Sequence, residues 1–167
     1  MENIKTTHNS YTVAQVTPLE SSSIFTLISY SVLTLGLYIP VWFLLNKKAL
    51  NNLQSEEKLR GEIFVHTLIL ASISLIIWFV FRILSLDPTP GIASLQNVTR
   101  ILDIVVFLTI TAQCFKVKRM LNDHFNTHKK FDFKFSDLAT FFLQIFYLQH
   151  KINKFNAIAT SSKQTGN

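Results

Sequence analysis

The sequence IFTLISYSVLTLGLYIPVWFLL, residues 24–45, runs for twenty-two residues without a charged side chain. A helix needs roughly 20 consecutive apolar residues to cross the hydrocarbon core of a bilayer. This stretch meets that requirement. It therefore predicts a membrane segment close to the start of the chain, which we call segment one.

Three further apolar stretches follow. Segment two, residues 63–84, is long enough to cross a bilayer. Segment three, residues 98–115, is marginal, because Arg100 must extend toward the head groups if this helix is to span. Segment four, residues 138–148, is about half a span long, which favours an interfacial or re-entrant helix. We expect an all-α integral membrane bundle of three apolar helical segments and a short fourth.

The overall composition is typical of a membrane protein. Charged residues make up 16% of the chain, against about 25% in a typical soluble domain. Hydrophobic residues make up 49%, and phenylalanine alone occurs 15 times. These values argue against a soluble domain and against a disordered chain. The single cysteine, Cys114, excludes an intramolecular disulfide and a cysteine-rich metal cage.

The distribution of polar residues divides the chain into three regions. Residues 1–23 are rich in Ser, Thr and Asn and show no hydrophobic periodicity, which indicates a mobile polar tail. Residues 24–156 form the helical membrane domain. Residues 157–167 form a polar C-terminal tail.

The basic residues predict an orientation. Thirteen of the sixteen Lys and Arg residues fall in the loop 46–62, the stretch 116–136 and residues 149–167. Cationic loops stay on the cytoplasmic side of a membrane. We therefore expect a multi-pass protein of the cell inner membrane with 46–62 and 116–136 cytoplasmic. Their natural partner is anionic membrane lipid rather than nucleic acid.

Segment one contains two helix-disturbing residues, Gly36 and Pro40, four positions apart. Proline lacks the N–H that would bond back to residue 36, and glycine leaves room for its ring, so the spacing predicts a kink in a crossing helix. A true break is the alternative. Segment one would then dip into the membrane and return, and the N-terminus would be cytoplasmic rather than outside.

Two strings carry a family resemblance. The string TLGLYIPVWFLLNKKALNNL, residues 34–53, resembles the signature of the small bacterial membrane proteins grouped as domain of unknown function 4234: a Thr-x-Gly-x-Tyr turn, an aromatic residue and then a basic, Asn-bearing helix. The string LQIFYLQHKINKFN, residues 143–156, is similar to that family's closing segment. The resemblance covers roughly residues 22–156. It implies a bacterial polytopic membrane protein of unknown activity and transfers no catalytic residues.

Ionisable side chains inside a membrane are costly, so each one needs a partner. Arg82 ends segment two and Asp103 begins segment three, which predicts an intramembrane polar pair at similar depth. Such a pair would be a gate or proton-linked site, or a packing clamp between helices. Pairing of Arg100 with Asp103 along one helix is a further alternative.

Two histidine groupings mark possible polar sites. His66 lies near the cytoplasmic end of segment two, and Gln113 and Cys114 lie near that of segment three, which predicts a polar contact. Catalysis there would need an orienting third group and an oxyanion site, which the sequence lacks. His124 and His128 have zinc-ligand spacing without a third ligand, so a solvated basic face is favoured.

The motifs of common enzymes are missing from the sequence, including the P-loop, the Rossmann glycine pattern and the nucleophile elbow. The sequence favours a non-enzymatic accessory protein or subunit, without cofactor or metal, that acts through helix–helix and lipid contacts. Its partner would be another membrane protein or a second copy. The alternative is a small oligomeric transporter or channel with a site near Asp103.

Overall fold

The computed structural model describes residues 19, 21–84, 90–128 and 134–164. Within these residues the chain is helical and contains no strand, which confirms the all-α prediction. The elements are α1 (Ile24–Leu33), α2 (Tyr38–Asn51), α3 (Gly61–Leu84), α4 (Pro90–Asn122), a π-helical turn (Asp123–His128) and α5 (Asp137–Gln164).

The predicted N-terminal tail falls mostly outside the described residues, at 1–18 and 20, whereas only residues 165–167 of the predicted C-terminal tail do so. Where the structure describes them, their residues belong to the fold. Leu19 is buried, and the side-chain amide of Asn156 donates to its carbonyl at 2.8 Å. The last helix continues through residues 157–164 instead of ending at residue 156.

The buried core lies at one end of the molecule, which we call the packed base. It comprises α2, the loop 52–60, the start of α3, the second half of α4 and the second half of α5. Phe43 stacks on Phe64 with ring centroids 4.6 Å apart. The indole N–H of Trp42 donates to Oε1 of Gln149 at 3.0 Å, which satisfies two fully buried polar groups.

The loop 52–60 closes the packed base through side-chain hydrogen bonds. The Asn51 amide bonds the carbonyl and the N–H of Leu59 at 3.0 and 2.7 Å, which holds the two ends of the loop together. Ser55 donates to Asp123 at 3.1 Å. Arg119 donates to Glu57 at 2.6 Å. The loop is therefore fixed to the end of α4.

Beyond the packed base, α3 and α4 extend as a helical hairpin with apolar surfaces. Gly61–Ile83 and Ala93–Asn126 are long and apolar enough to cross a membrane, by length and composition. Only 17% of the apolar window of each is buried, whereas the core helix of a soluble protein would be mostly buried. The predicted third crossing, segment one, does not form a single helix of that length.

Segment one is broken, so the predicted kinked helix at Gly36 and Pro40 is wrong and the alternative, a break, is found. The chain turns at residues 34–37, with φ of 50° at Leu35 and 91° at Gly36. The N–H of Gly36 donates to Ser31 and that of Leu35 to Val32, at 2.7 and 3.1 Å. This is a Schellman cap, which ends α1 before Pro40 can disturb it.

Pro40 lies in the first turn of α2, where its missing N–H has no partner within the helix to lose. Thr34 bridges the break: its hydroxyl donates to the Tyr30 carbonyl at 2.7 Å and accepts the N–H of Tyr38 at 3.0 Å. Segment one is thus two short helices joined by a well-bonded turn.

Segment four is also broken. Gln144 adopts φ 42° and ψ −122° inside α5, which divides that helix into the arms 137–143 and 145–164. The N–H of Ser136 donates to the hydroxyl of Tyr147 at 2.9 Å, so the start of the first arm lies beside the second arm. Segments one and four therefore have the same form: a short apolar helix, a left-handed residue and a return to the packed base.

Candidate functional site

The two breaks meet at one cavity. This cavity, of about 370 Å³, lies between α3 and α4 and is lined on its remaining sides by the two broken segments. Leu35 and Gly36 reach it from segment one, and Gln144 reaches it from α5. We call it the inner cavity. Its polar lining includes Ser74 and Asp103.

Asp103 is held by α3 across the helical hairpin. The hydroxyl of Ser74 donates to Oδ1 of Asp103 at 2.6 Å, a short charge-assisted hydrogen bond. Ser74 stands thirteen residues after Gly61 and ten before Leu84, so it lies about 20 Å and about 15 Å from the two ends of α3. The carboxylate therefore lies near the middle of an apolar helix pair, where an ionisable group signals a functional site.

The α5 break is fixed against α4 beside the inner cavity. The amide nitrogen of Gln144, a residue only 9% exposed, donates to the hydroxyl of Thr111 at 3.0 Å. That hydroxyl in turn donates to the carbonyl of Phe107 at 2.8 Å. Phe107 also meets Phe141 edge-on, with centroids 6.0 Å apart. These contacts stabilise the unusual backbone of Gln144 and keep it at the cavity wall.

A second cavity adjoins the first. This cleft, of about 580 Å³, is lined by Trp78, Phe81, Arg82, Gln96, Thr99, Arg100 and Asp103. It shares Trp78, Thr99 and Asp103 with the inner cavity. We call it the arginine cleft. Asp103 therefore stands at the boundary between the arginine cleft and the inner cavity, which the two breaks line.

The predicted Arg82–Asp103 ion pair is not formed, although both residues line the arginine cleft. Neither Arg82 nor Arg100 has a hydrogen-bond or ion-pair partner among the described residues, so the Arg100 alternative is also wrong. The helix α4 begins at Pro90, eight residues before the predicted start at Val98. Asp103 is therefore about 20 Å along α4, whereas Arg82 is about 3 Å from the end of α3, and their depths differ.

The predicted contact among His66, Gln113 and Cys114 is not formed either. His66 is exposed, and its Nδ1 lies 2.7 Å from the carbonyl oxygen of Glu62 on its own helix. Cys114 is fully buried in the core. Oε1 of Gln113 is buried without a hydrogen-bond partner among the described residues. No hydrogen bond joins these three described residues, so they do not form the arrangement of a nucleophilic site.

His124 does not lie on a solvated face, contrary to the sequence interpretation. It is 2% exposed, and its Nδ1 accepts the backbone N–H of Gln54 at 3.3 Å. The ring therefore helps to fix the loop 52–60 to the π-helical turn. The side chain of His128 lies outside the part of the chain whose side chains are described.

Two site residues escaped the sequence interpretation, Ser74 and Gln144. The signal for Ser74 lies in hairpin geometry: Ser74 is ten residues before the end of α3 and Asp103 is thirteen residues after the start of α4, so antiparallel packing of the two helices brings them to similar levels. Gln144 is the one side-chain amide in segment four. Its position gives no hint of a left-handed backbone, because the break depends on Thr111 of another helix.

Among residues 19, 21–84, 90–128 and 134–164, no group of three or more His, Cys, Asp or Glu side chains is placed to hold a metal ion. The charged and polar groups instead line two joined cavities. No protein-family model, no curated protein and no solved structure matches the chain.

Proposed function

We propose that the chain is a non-enzymatic polytopic membrane protein that acts as a small transporter or channel, with its solute site at Asp103. The observation that carries this proposal is that two broken helices line one cavity together with the carboxylate of Asp103. Discontinuous helices whose ends line a polar site near the bilayer midplane are a recurrent design of transporters. Irregular backbone at such depth is tolerated where it lines a cavity.

The membrane arrangement that we propose has two crossings and two re-entrant hairpins. The helices α3 and α4 cross, with the link between them on the far side. Segments one and four enter from the cytoplasmic side and return to it. Asn153 donates to the carbonyl of Ser22 at 2.8 Å, so the start of α1 lies against α5 in the packed base, as a dipping segment requires.

The charges support placing the packed base in the cytoplasm. Its surface carries many Lys and Arg residues, including the exposed Lys48, Lys58 and Arg60. Basic surfaces of this kind remain on the cytoplasmic side and attract anionic lipid. The bacterial inner membrane is the location that we propose, in line with the resemblance to domain of unknown function 4234.

An oligomer is part of this proposal, because two crossing helices do not enclose a pore by themselves. The outer face of α3 exposes an apolar stripe with alternating spacings of four and three residues. The stripe consists of Ile69, Ile73, Ile76, Val80 and Ile83, each at least 43% exposed. That spacing is the pattern of a helix that packs along its length on another helix.

Swelling of proteoliposomes tests the transport proposal across four solutes of different charge. Vesicles containing the purified chain are transferred into iso-osmotic solutions of glycine, sodium acetate, choline chloride or glycerol, and light scattering reports swelling. We expect faster swelling than in empty vesicles for at least one solute. We expect Asp103→Asn to reduce that rate about tenfold or more, since it removes the charge at the site.

Ser72→Ala is the matched control, because the Ser72 hydroxyl bonds only the carbonyl of Leu68 on its own helix at 2.8 Å. Vesicles that contain this variant should swell as fast as vesicles that contain the wild type. Equal swelling of empty, wild-type and Asp103→Asn vesicles in all four solutions would contradict the proposal.

A second candidate, an accessory subunit, is favoured by the same outward stripe on α3. A row of apolar side chains with helix-packing spacing suits a helix of another membrane protein as well as a second copy. Native mass spectrometry after mild extraction separates the two cases by mass. A stoichiometric complex with a second protein supports the subunit function, whereas a homo-oligomer that swells vesicles supports transport.

A further inference from the structure

The arginine cleft contains two positive charges that the described structure leaves unpaired. Arg82 comes from α3 and Arg100 from α4, and both line one cleft of about 580 Å³. Both side chains are exposed, and neither has a hydrogen-bond or ion-pair partner in the described chain. Guanidinium groups bind carboxylates and phosphates with paired N–H donors. Two of them at one cleft favour an anionic group.

A simple anion fits the arginine cleft poorly, because Asp103 lines it as well. Only Oδ1 of Asp103 receives the Ser74 hydroxyl, and the carboxylate has no further partner among the described residues. It would repel a plain anion and attract an ammonium group. The two arginines would repel a plain cation. The charges therefore complement a molecule that carries both signs.

The spacing of Arg100 and Asp103 suits a small molecule, and Arg82 lines the same cleft from a level closer to the end of α3. Arg100 and Asp103 are three residues apart on α4, so they are separated by about 4.5 Å along the helix axis. The two ligand charges that pair with Arg100 and Asp103 therefore lie on neighbouring groups of one molecule. Trp78 and Phe81 add aromatic surface to the wall, and Trp78 is 56% exposed. An apolar body attached to the two charges would pack against these rings.

The geometry points to a zwitterionic ligand in the arginine cleft, with its carboxylate or phosphate on Arg82 and Arg100 and its ammonium group on Asp103. This inference names the substrate class for the proposed transport function and rests on that function for its physiological meaning. Binding itself requires no transport. A binding assay can therefore fail while vesicles swell, and vesicles can fail to swell while the ligand binds.

Three matched probes separate the two charges. Phenylalanine carries both, phenylacetate carries only the anion, and phenethylamine carries only the cation. Calorimetry measures their affinity for the full chain in dodecyl maltoside micelles, whose head groups carry no charge. We expect phenylalanine to bind about tenfold or more tightly than either single-charge probe, since one charge-assisted contact is lost in each.

Charge-removing variants assign each end of the ligand. Arg82→Gln and Arg100→Gln should each lower the affinity for phenylalanine and phenylacetate about tenfold. Neither variant should lower the affinity for phenethylamine. Asp103→Asn should lower the affinity for phenylalanine and phenethylamine. It should raise the affinity for phenylacetate, because the Asp103 carboxylate no longer repels the carboxylate of the probe. Arg60→Gln, in the loop of the packed base, removes one positive charge far from the cleft and should leave the affinity for all three probes unchanged.

The source of the zwitterion is found by changing the lipid. If nanodiscs of phosphatidylethanolamine weaken phenylalanine binding, a lipid head group occupies the cleft; if they do not, the ligand is a soluble solute. Both results are consistent with a zwitterionic ligand and differ only in its source. Failure of both phenylalanine and phosphoethanolamine to bind the folded wild type would overturn the inference. Equal affinity for phenylalanine and phenylacetate, or insensitivity of phenylalanine to both arginine variants, would overturn it as well.

Discussion

The hydroxyl of Ser74 on α3 and the carboxylate of Asp103 on α4 are joined by a hydrogen bond of 2.6 Å near the middle of the helical hairpin. This bond connects the two candidate crossing helices at the cavity that both broken segments line. It also fixes the direction of the Asp103 carboxylate, which lines both cavities. The bond is therefore structural for the hairpin and a positioning contact for the site.

Removing this bond should destabilise the hairpin modestly. We expect Ser74→Ala to lower the free energy of unfolding by about 0.5–2 kcal/mol, the range of single hydrogen bonds between membrane helices. Asp103→Asn should raise stability, because it removes a charge from an apolar setting, even as it impairs the site. Unfolding in mixed detergent micelles, followed by circular dichroism, measures both changes.

A double-mutant cycle separates the bond from other effects of the same substitutions. The cost of Ser74→Ala should shrink in the Asp103→Asn background, since the amide is a weaker acceptor than the carboxylate. Ser72→Ala, whose hydroxyl bonds its own helix, should cost the same in both backgrounds. Identical costs of Ser74→Ala in the two backgrounds would show that the bond contributes nothing.

The break in segment one depends on two left-handed residues. A Cβ at Gly36 would meet no atom within 4 Å, so Gly36→Ala tests the backbone at φ 91° and not packing. We expect it to lower the free energy of unfolding by about 1–2 kcal/mol. Leu35, at φ 50°, already bears such strain. Leu35→Gly should therefore be neutral or stabilising by up to about 1 kcal/mol.

Leu37→Gly is the matched control for this pair. Leu37 has φ of −62° and ψ of −22°, a helical conformation in which glycine has no steric advantage. It should destabilise by about 0.5–1 kcal/mol. If Leu35→Gly and Leu37→Gly cost the same, segment one is a continuous helix in the membrane and the break is refuted.

The bond between Trp42 and Gln149 joins segment one to α5 inside the packed base. Gln149→Leu keeps the side-chain volume but leaves the buried indole N–H without its acceptor. We expect a loss of about 1–3 kcal/mol in unfolding free energy. The chain has two tryptophans, so a Trp78→Phe background reports the emission of Trp42 alone. That emission should change in Gln149→Leu and stay constant in His150→Ala, which alters an exposed neighbour.

The sequence was sufficient for the helical class and for the positions of the apolar segments, because both depend on local composition. It located the disturbance in segment one at Gly36 and Pro40 but favoured a kink. The outcome depended on Leu35, a residue that avoids positive φ unless a cap holds it there. The hydrogen bonds of Ser31 and Thr34 provide that cap, and no single residue type predicts it.

The candidate site was only partly predictable for a similar reason. Asp103 and Arg82 attract notice because charges are rare in apolar runs, and both do line the arginine cleft. Their pairing failed because α4 begins at Pro90, eight residues before the predicted start of segment three, which shifts the depth of every residue on it. Gln144 and His124 were beyond the sequence, since their roles depend on Thr111 and Gln54 of other elements.

The proposed topology predicts which positions face the outside of the cell. We expect an impermeant maleimide to label Ser94→Cys, near the tip of the hairpin, in intact cells. Ser23→Cys and Asn126→Cys should react only after permeabilisation, because both lie at the packed base. The native Cys114 is fully buried and should not react with the maleimide. The same three cysteine variants in a Cys114→Ser background provide the control.

The decisive position is Ser23, which is exposed at the start of α1. A segment that crosses would place it outside, whereas a segment that dips and returns keeps it beside α5, where Asn153 binds the neighbouring Ser22 carbonyl. Labelling of Ser23→Cys in intact cells would require segment one to cross and α1 to leave the packed base. The inner cavity would then lose the wall formed by Leu35 and Gly36, and transport through Asp103 would lose its structural basis.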